Sequence, residues 1–130
     1  MYYLVTNNPL VEEKYGNYSN NLEVVSVETK DCRQVLTTAR DMIHQGKRLE
    51  THPMAGSVKP NQNPYKTIML SNNQNTEEES KDQLLIIENS IIKATELLNN
   101  RKLPEWEEKI LKDFQFVDLS LIESGIMHVI

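Results

Sequence analysis

Along the chain, short apolar runs alternate with stretches in which apolar residues recur every three or four positions. Residues 2–6 form a β-prone run that stops at Asn7-Asn8-Pro9, where asparagine before a proline marks a helix start. That pattern predicts a short helix over residues 10–15 and a turn over residues 16–20. Leu22, Val24, Val25 and Val27 suit a buried strand. Val35, Leu36, Ala39, Met42 and Ile43 then share one helical face, with Thr29 or Asp31 as the cap and Gly46 as the left-handed stop. Residues 47–51 are a weakly patterned strand, and residues 67–70 (TIML) a buried one.

The polar stretch SNNQNTEEES ends in a capping box, Thr76 with Glu79. Leu84, Ile87, Ile91, Ala94 and Leu98 follow at alternating spacings of three and four, which predicts an amphipathic helix of roughly 35 Å at about 1.5 Å per residue. Pro104 restarts a second helix, with Trp106, Ile110 and Phe114 on one side. The tail FVDLSLIESGIMHVI supports two readings. Val117, Leu119 and Leu121 alternate as in a strand, while Leu119, Ile122 and Ile126 step as in a helix capped by Asp118.

Strands alternating with helices argue for an α/β fold: a Rossmann-like, three-layer arrangement with flanking helices on a small, mostly parallel sheet of about four strands. Repeats and dividing linkers are absent from the sequence, so residues 1–130 read as one α/β domain. The composition, 38% hydrophobic and 25% charged, agrees with that. A net charge of -5 argues against a nucleic-acid backbone binder, though not against a small anion held by local donors. No apolar run approaches the roughly 20 residues of a membrane span. The segment MYYLVTNNPL has no secretory pattern, and Cys32, the single cysteine, cannot form an internal disulfide. A cytoplasmic location is therefore expected.

The segment THPMAGSVKPNQNPYKT, residues 51–67, holds three of the five prolines. In parallel sheets, ligands bind beyond the carboxyl ends of the strands. TNNP follows the first strand and THPMAGSVKP the third. If those strands are parallel neighbours, both loops share an edge and line a site. Gly56 lets a backbone N–H approach an anion, Ser57 offers a hydroxyl, Lys59 a charge, and His52 a group able to exchange protons. Pro53, Pro60 and Pro64 restrict the path. The plain alternative is a stiffened crossover loop in which His52 and Asn61 bond their own backbone.

Thr6, Asn7 and Asn8 either present donors at a helix N-terminus or form a simple cap and turn. A P-loop is excluded, since Gly56 to Lys59 lacks its length and second glycine, and the glycines are too scattered for a dinucleotide fingerprint. His44, His52 and His128 lack ligand spacing, so no metal is expected. Cys32 near a helix start is read as a packing residue before a redox one. Asp118, Ser120, Glu123 and Ser124 are read as solvating or capping the tail, although they could reach the same edge. His52 could serve as a general acid–base, but there is no evident nucleophile.

TNNPLVEEKY near the start, THPMAGSVKPNQNPYKT in the middle and EKILKDFQFVDLSLIES near the end together resemble the GrdX family. These are small proteins encoded beside the glycine, sarcosine and betaine reductases of amino-acid-fermenting anaerobes. The resemblance covers nearly the whole chain. It implies a cytoplasmic accessory protein without an assigned activity or cofactor, so no catalytic role carries over. The combined expectation is a small polar or anionic ligand held by the loops after strands one and three. Its residues would be Thr6, Asn7, Asn8, His52, Gly56, Ser57, Lys59, Asn61, Tyr65 and Lys66, with Lys59 and Lys66 supplying charge. The alternative is a non-catalytic docking or assembly module for a reductase subunit. Neither reading involves nucleic acid or membrane.

Overall fold

In a computed structural model, which describes residues 1–54 and 59–129, strands and helices follow one another in the order expected, while the direction of the fourth strand differs. The elements are β1 (Tyr2–Thr6), α1 (Pro9–Tyr15), β2 (Leu22–Ser26), α2 (Arg33–His44), β3 (Arg48–Leu49), β4 (Thr67–Ser71), α3 (Glu77–Asn100) and α4 (Glu108–Val129). Local chemistry sets most boundaries. Asn8 accepts from Leu10 N at 3.0 Å and caps α1, with Pro9 in the first turn where its missing N–H costs nothing. Gly46, at φ 102°, ends α2 in a conformation most residues avoid. Asp31 accepts from Arg33 N at 2.9 Å, while Cys32 occupies the cap position itself. Both halves of the Thr76–Glu79 capping box are formed, at 3.0 and 3.1 Å.

The sheet has the order β2-β1-β4-β3. Only β1 and β2 pair in parallel; β4 runs antiparallel to both of its neighbours, β1 and β3. This corrects the expectation of a mostly parallel, Rossmann-like sheet. Parallel neighbours require a crossover connection, usually a helix. Among the described residues nothing helical separates β3 from β4, and the chain re-enters the sheet beside the edge strand it has just formed. Thr6 pairs with Thr67 and Leu49 with Leu70, so β1 and β3 point the same way with β4 returning between them. The ends of β1 and β3 and the start of β4 therefore meet on one rim.

Alternation along the central strands feeds two cores. Val5, Ile68 and Leu70 pack with Val35, Leu36, Ala39 and Ile43 of α2 and with Ile87 and Ala94 of α3. Leu4 and Met69 face the other way, onto Val11 and Tyr15 of α1 and Leu119, Ile122 and Ile126 of α4. All five of these strand side chains are completely buried, each contributing about 1.5–3 kcal/mol.

The ambiguous tail is helical, because α4 continues unbroken from Glu108 to Val129. Asp118 thus lies in mid-helix and caps nothing. Pro104 and Trp106 precede this helix rather than opening it. Trp106 packs against Phe114 in a tilted arrangement with ring centroids 5.4 Å apart and donates Nε1–H to the carbonyl of Gln62 at 2.7 Å. Among the described residues, no helix is long and apolar enough to cross a membrane.

Thr76→Ala removes one half of the capping box on an exposed helix start. It is expected to cost about 1 kcal/mol and to lower Tm by about 3–5 °C, measured by thermal unfolding.

Candidate functional site

At the shared rim, α4 crosses in front of the segment that joins β3 to β4. A cleft of about 380 Å³ lies between them. One wall carries Thr51, His52, Pro53 and Pro60, the floor Tyr65, Lys66 and Thr67, and the far wall Asp118, Leu121, Ile122 and Gly125. The mixture of apolar surface with a few convergent polar groups is typical of small-molecule sites.

Asp118 fixes the helix to the rim. Its Oδ2 accepts from Asn8 Nδ2 at 3.0 Å and from Thr67 Oγ1 at 2.7 Å. The same Asn8 amide donates to the Gln115 carbonyl at 2.8 Å, and its Oδ1 caps α1, so one side chain joins two helices. Thr6 Oγ1 lies 2.7 Å from Thr67 Oγ1 and accepts from Asn8 N at 3.0 Å, completing a buried polar cluster. Burial raises Asp118 above the usual aspartate range, against the opposing pull of those hydrogen bonds and of Lys66.

Lys66 is the basic group of the cleft. Its backbone N–H donates to Asn7 Oδ1 at 2.9 Å, and its ammonium donates to the Pro53 carbonyl at 2.7 Å. Burial lowers its pKa below the usual lysine value, with Asp118 among the groups that pull it back. Lys66 and Asp118 do not touch as an ion pair. Tyr65 accepts from Gln115 Nε2 at 2.9 Å through its hydroxyl oxygen, which leaves its own O–H to donate. His52 is exposed, and its Nδ1 accepts from Met54 N at 3.0 Å, leaving Nε2 as the open ring nitrogen. Glu50 also borders the cleft, but Ser71 and Asn73 donate to its carboxylate and Arg48 pairs with it.

Of the residues singled out from sequence, His52, Tyr65 and Lys66 come together in this cleft. Thr6 and Asn8 lie beneath it as buried supports. Asn7 engages Pro64 O with its amide at 2.8 Å and Lys66 N with its carbonyl at 2.9 Å, which shapes the floor without lining it. Asn61 donates to Leu97 O at 3.3 Å, and its buried Oδ1 has no partner among the described residues. Lys59 is exposed and does not line the cleft. Gly56 and Ser57 lie outside the described residues.

Thr67 and Gly125, which line the cleft, were not singled out from sequence, and Asp118 was read first as solvating or capping the tail, though able to reach this edge. The signal for Asp118 was present: it falls four residues before Ile122, on the same helical face, as a charge within an apolar stripe. Cys32, by contrast, is fully buried, and burial pushes its thiol up to about 11, overriding its helix-start position. Among the described residues, no group of three or more His, Cys, Asp or Glu converges as a metal site.

Fold and site together define an α/β protein of mixed sheet whose last helix closes a charged cleft over the strand ends. The family model of the GrdX-like proteins matches residues 3–127, and the chain belongs to that family. No curated protein and no solved structure matches it.

Two predictions concern the walls. A Cβ at Gly125 would lie 2.8 Å from Thr51 Cγ2, so α4 and the opposite wall meet where only glycine fits. Gly125→Ala gains up to about 1 kcal/mol of helix propensity but costs about 1–3 kcal/mol in overpacking, a net loss. In a Thr51→Ser background, which removes Cγ2 and retains the hydroxyl that accepts from Met69 N, the same change becomes stabilising. Denaturant unfolding of the four proteins checks this reversal of sign.

The second prediction follows from Asp118. Its folded-state pKa is raised, so the stability tied to its protonated form is fully present below the ordinary aspartate range. That contribution is lost as pH rises through the raised value. Asp118→Asn does not titrate. Its Tm relative to the native protein therefore climbs from acid to neutral pH, as scanning calorimetry at a series of pH values would register.

Proposed function

We propose that this protein is an accessory component of glycine-type reductase metabolism that binds a small polar ligand in the cleft between α4 and the β3–β4 segment. Family membership implies the reductase gene context. The observation that carries the ligand reading is the convergence of Lys66 and Asp118, with Tyr65 and His52, on one cleft. Ionisable groups with perturbed pKa values in a cleft mark functional sites more often than surface charges do.

Binding is preferred to catalysis. Among the described residues, no hydroxyl or thiol hydrogen-bonds His52, so they offer no pairing of nucleophile with base. The docking alternative would use the outer face of α3, where Leu85 and Ile92 are exposed, or the tail helix α4, where Phe116, Leu121 and Met127 are. On each helix these stand five to seven residues apart, roughly 7–10 Å along the axis, which makes a sparse contact surface.

Thermal shift against phosphate, acetate, glycine and nucleotides tests the proposal. A ligand at 100 times its Kd adds about 2.7 kcal/mol, a rise of several degrees, and Lys66→Ala should abolish it. Failure of every compound to shift Tm, combined with capture of a reductase subunit, would replace ligand binding with docking.

A further inference from the structure

Lys66 and Asp118 line the same cleft with opposite charge, yet the packing holds them apart. The Lys66 ammonium is drawn to the Pro53 carbonyl at 2.7 Å, and its backbone is pinned by Asn7 at 2.9 Å. Asp118 is held from the other side by Asn8 and Thr67 at 3.0 and 2.7 Å. Each group keeps unused capacity. An ammonium has three donors, of which the described residues engage one, and the side-chain donors to Asp118, Asn8 and Thr67, both use Oδ2.

This arrangement discriminates among ligand charges. A simple anion drawn to Lys66 would also sit beside the Asp118 carboxylate and be repelled by it. A simple cation at Asp118 would meet the same difficulty at Lys66. A molecule carrying both charges satisfies both groups and brings no net charge into a partly apolar space. Glu50, at the border of the cleft, is already engaged by Ser71 and Asn73 and by Arg48, a guanidinium that it shares with Glu79.

Building on the ligand reading above, we infer that the cleft selects a small zwitterion of the amino-acid type. Its ammonium would meet Asp118, its carboxylate would meet Lys66 and the Tyr65 hydroxyl, and its carbon body would lie along Pro53, Leu121 and Ile122. The cleft's two charges are fixed before the ligand arrives, so binding carries little ordering cost for the protein.

The test compares molecules that differ by one charged group: L-alanine and β-alanine against propionate and ethylammonium, with inorganic phosphate as a plain anion. Titration calorimetry on the native protein should give a zwitterion roughly tenfold or more tighter binding than either single-charge analogue, about one decade in Kd. Asp118→Asn should remove the advantage over propionate, and Lys66→Met the advantage over ethylammonium. Propionate or phosphate binding as tightly as the alanines would overturn the zwitterion inference while leaving ligand binding in place. No heat with any probe, and no thermal shift with the broader panel, would remove both. Selectivity that survives in both folded variants would put the binding elsewhere and overturn the assignment to this cleft. The comparison on the native protein is decisive even if a variant does not fold.

Discussion

One buried carboxylate holds the working end of this molecule together. Asp118 projects from the middle of α4 and accepts hydrogen bonds from Asn8, between β1 and α1, and from Thr67, at the start of β4. Three elements distant in sequence therefore depend on a single side chain. Asn8 in turn caps α1 and donates to the Gln115 carbonyl. Losing one member would leave buried neighbours short of a partner, which costs more than the bond itself contributes. Apolar packing against Leu4 and Met69 brings α4 to the sheet; the polar cluster decides where along the sheet it stops. It stops across the strand ends, and a cleft results.

The second constraint is the direction of β4. Because that strand returns between β1 and β3, the described residues of the linking segment lie along the rim at the strand ends. A helical crossover would have carried those residues to the far edge. The rigid, proline-rich composition of residues 51–67 suits this position, because a segment without regular structure must satisfy its backbone groups individually. Asn63 shows how. It donates to the Phe114 carbonyl at 3.3 Å and accepts from Tyr65 N at 2.8 Å, linking the segment to α4 and to itself.

Local features were readable from the chain because local chemistry determines them. The Asn8-Pro9 helix start, the Thr76–Glu79 box, Gly46 and the apolar stripes of α2 and α3 needed no tertiary information. Strand direction was not readable, since a buried four-residue run looks the same whichever way it enters a sheet. The tail was ambiguous because its apolar positions satisfy two periods at once, and only packing on Met69 and Val11 chose between them. Within the site, the asparagines are the hardest residues to read. An amide that binds a ligand and an amide that satisfies a backbone carbonyl are the same residue type, and the Asn7 and Asn8 amides engage the carbonyls of Pro64 and Gln115.

Burial of charge is the remaining argument. Removing an ammonium and a carboxylate from water destabilises a fold, and a direct ion pair is the usual partial remedy. Lys66 and Asp118 forgo that remedy: each is tied to neutral groups, and the two share a cleft without joining. A scaffold shaped by stability alone would be served better by apolar residues of similar size at both positions. A geometry that keeps two opposite charges close but unjoined makes physical sense where something with the complementary pair of charges comes between them.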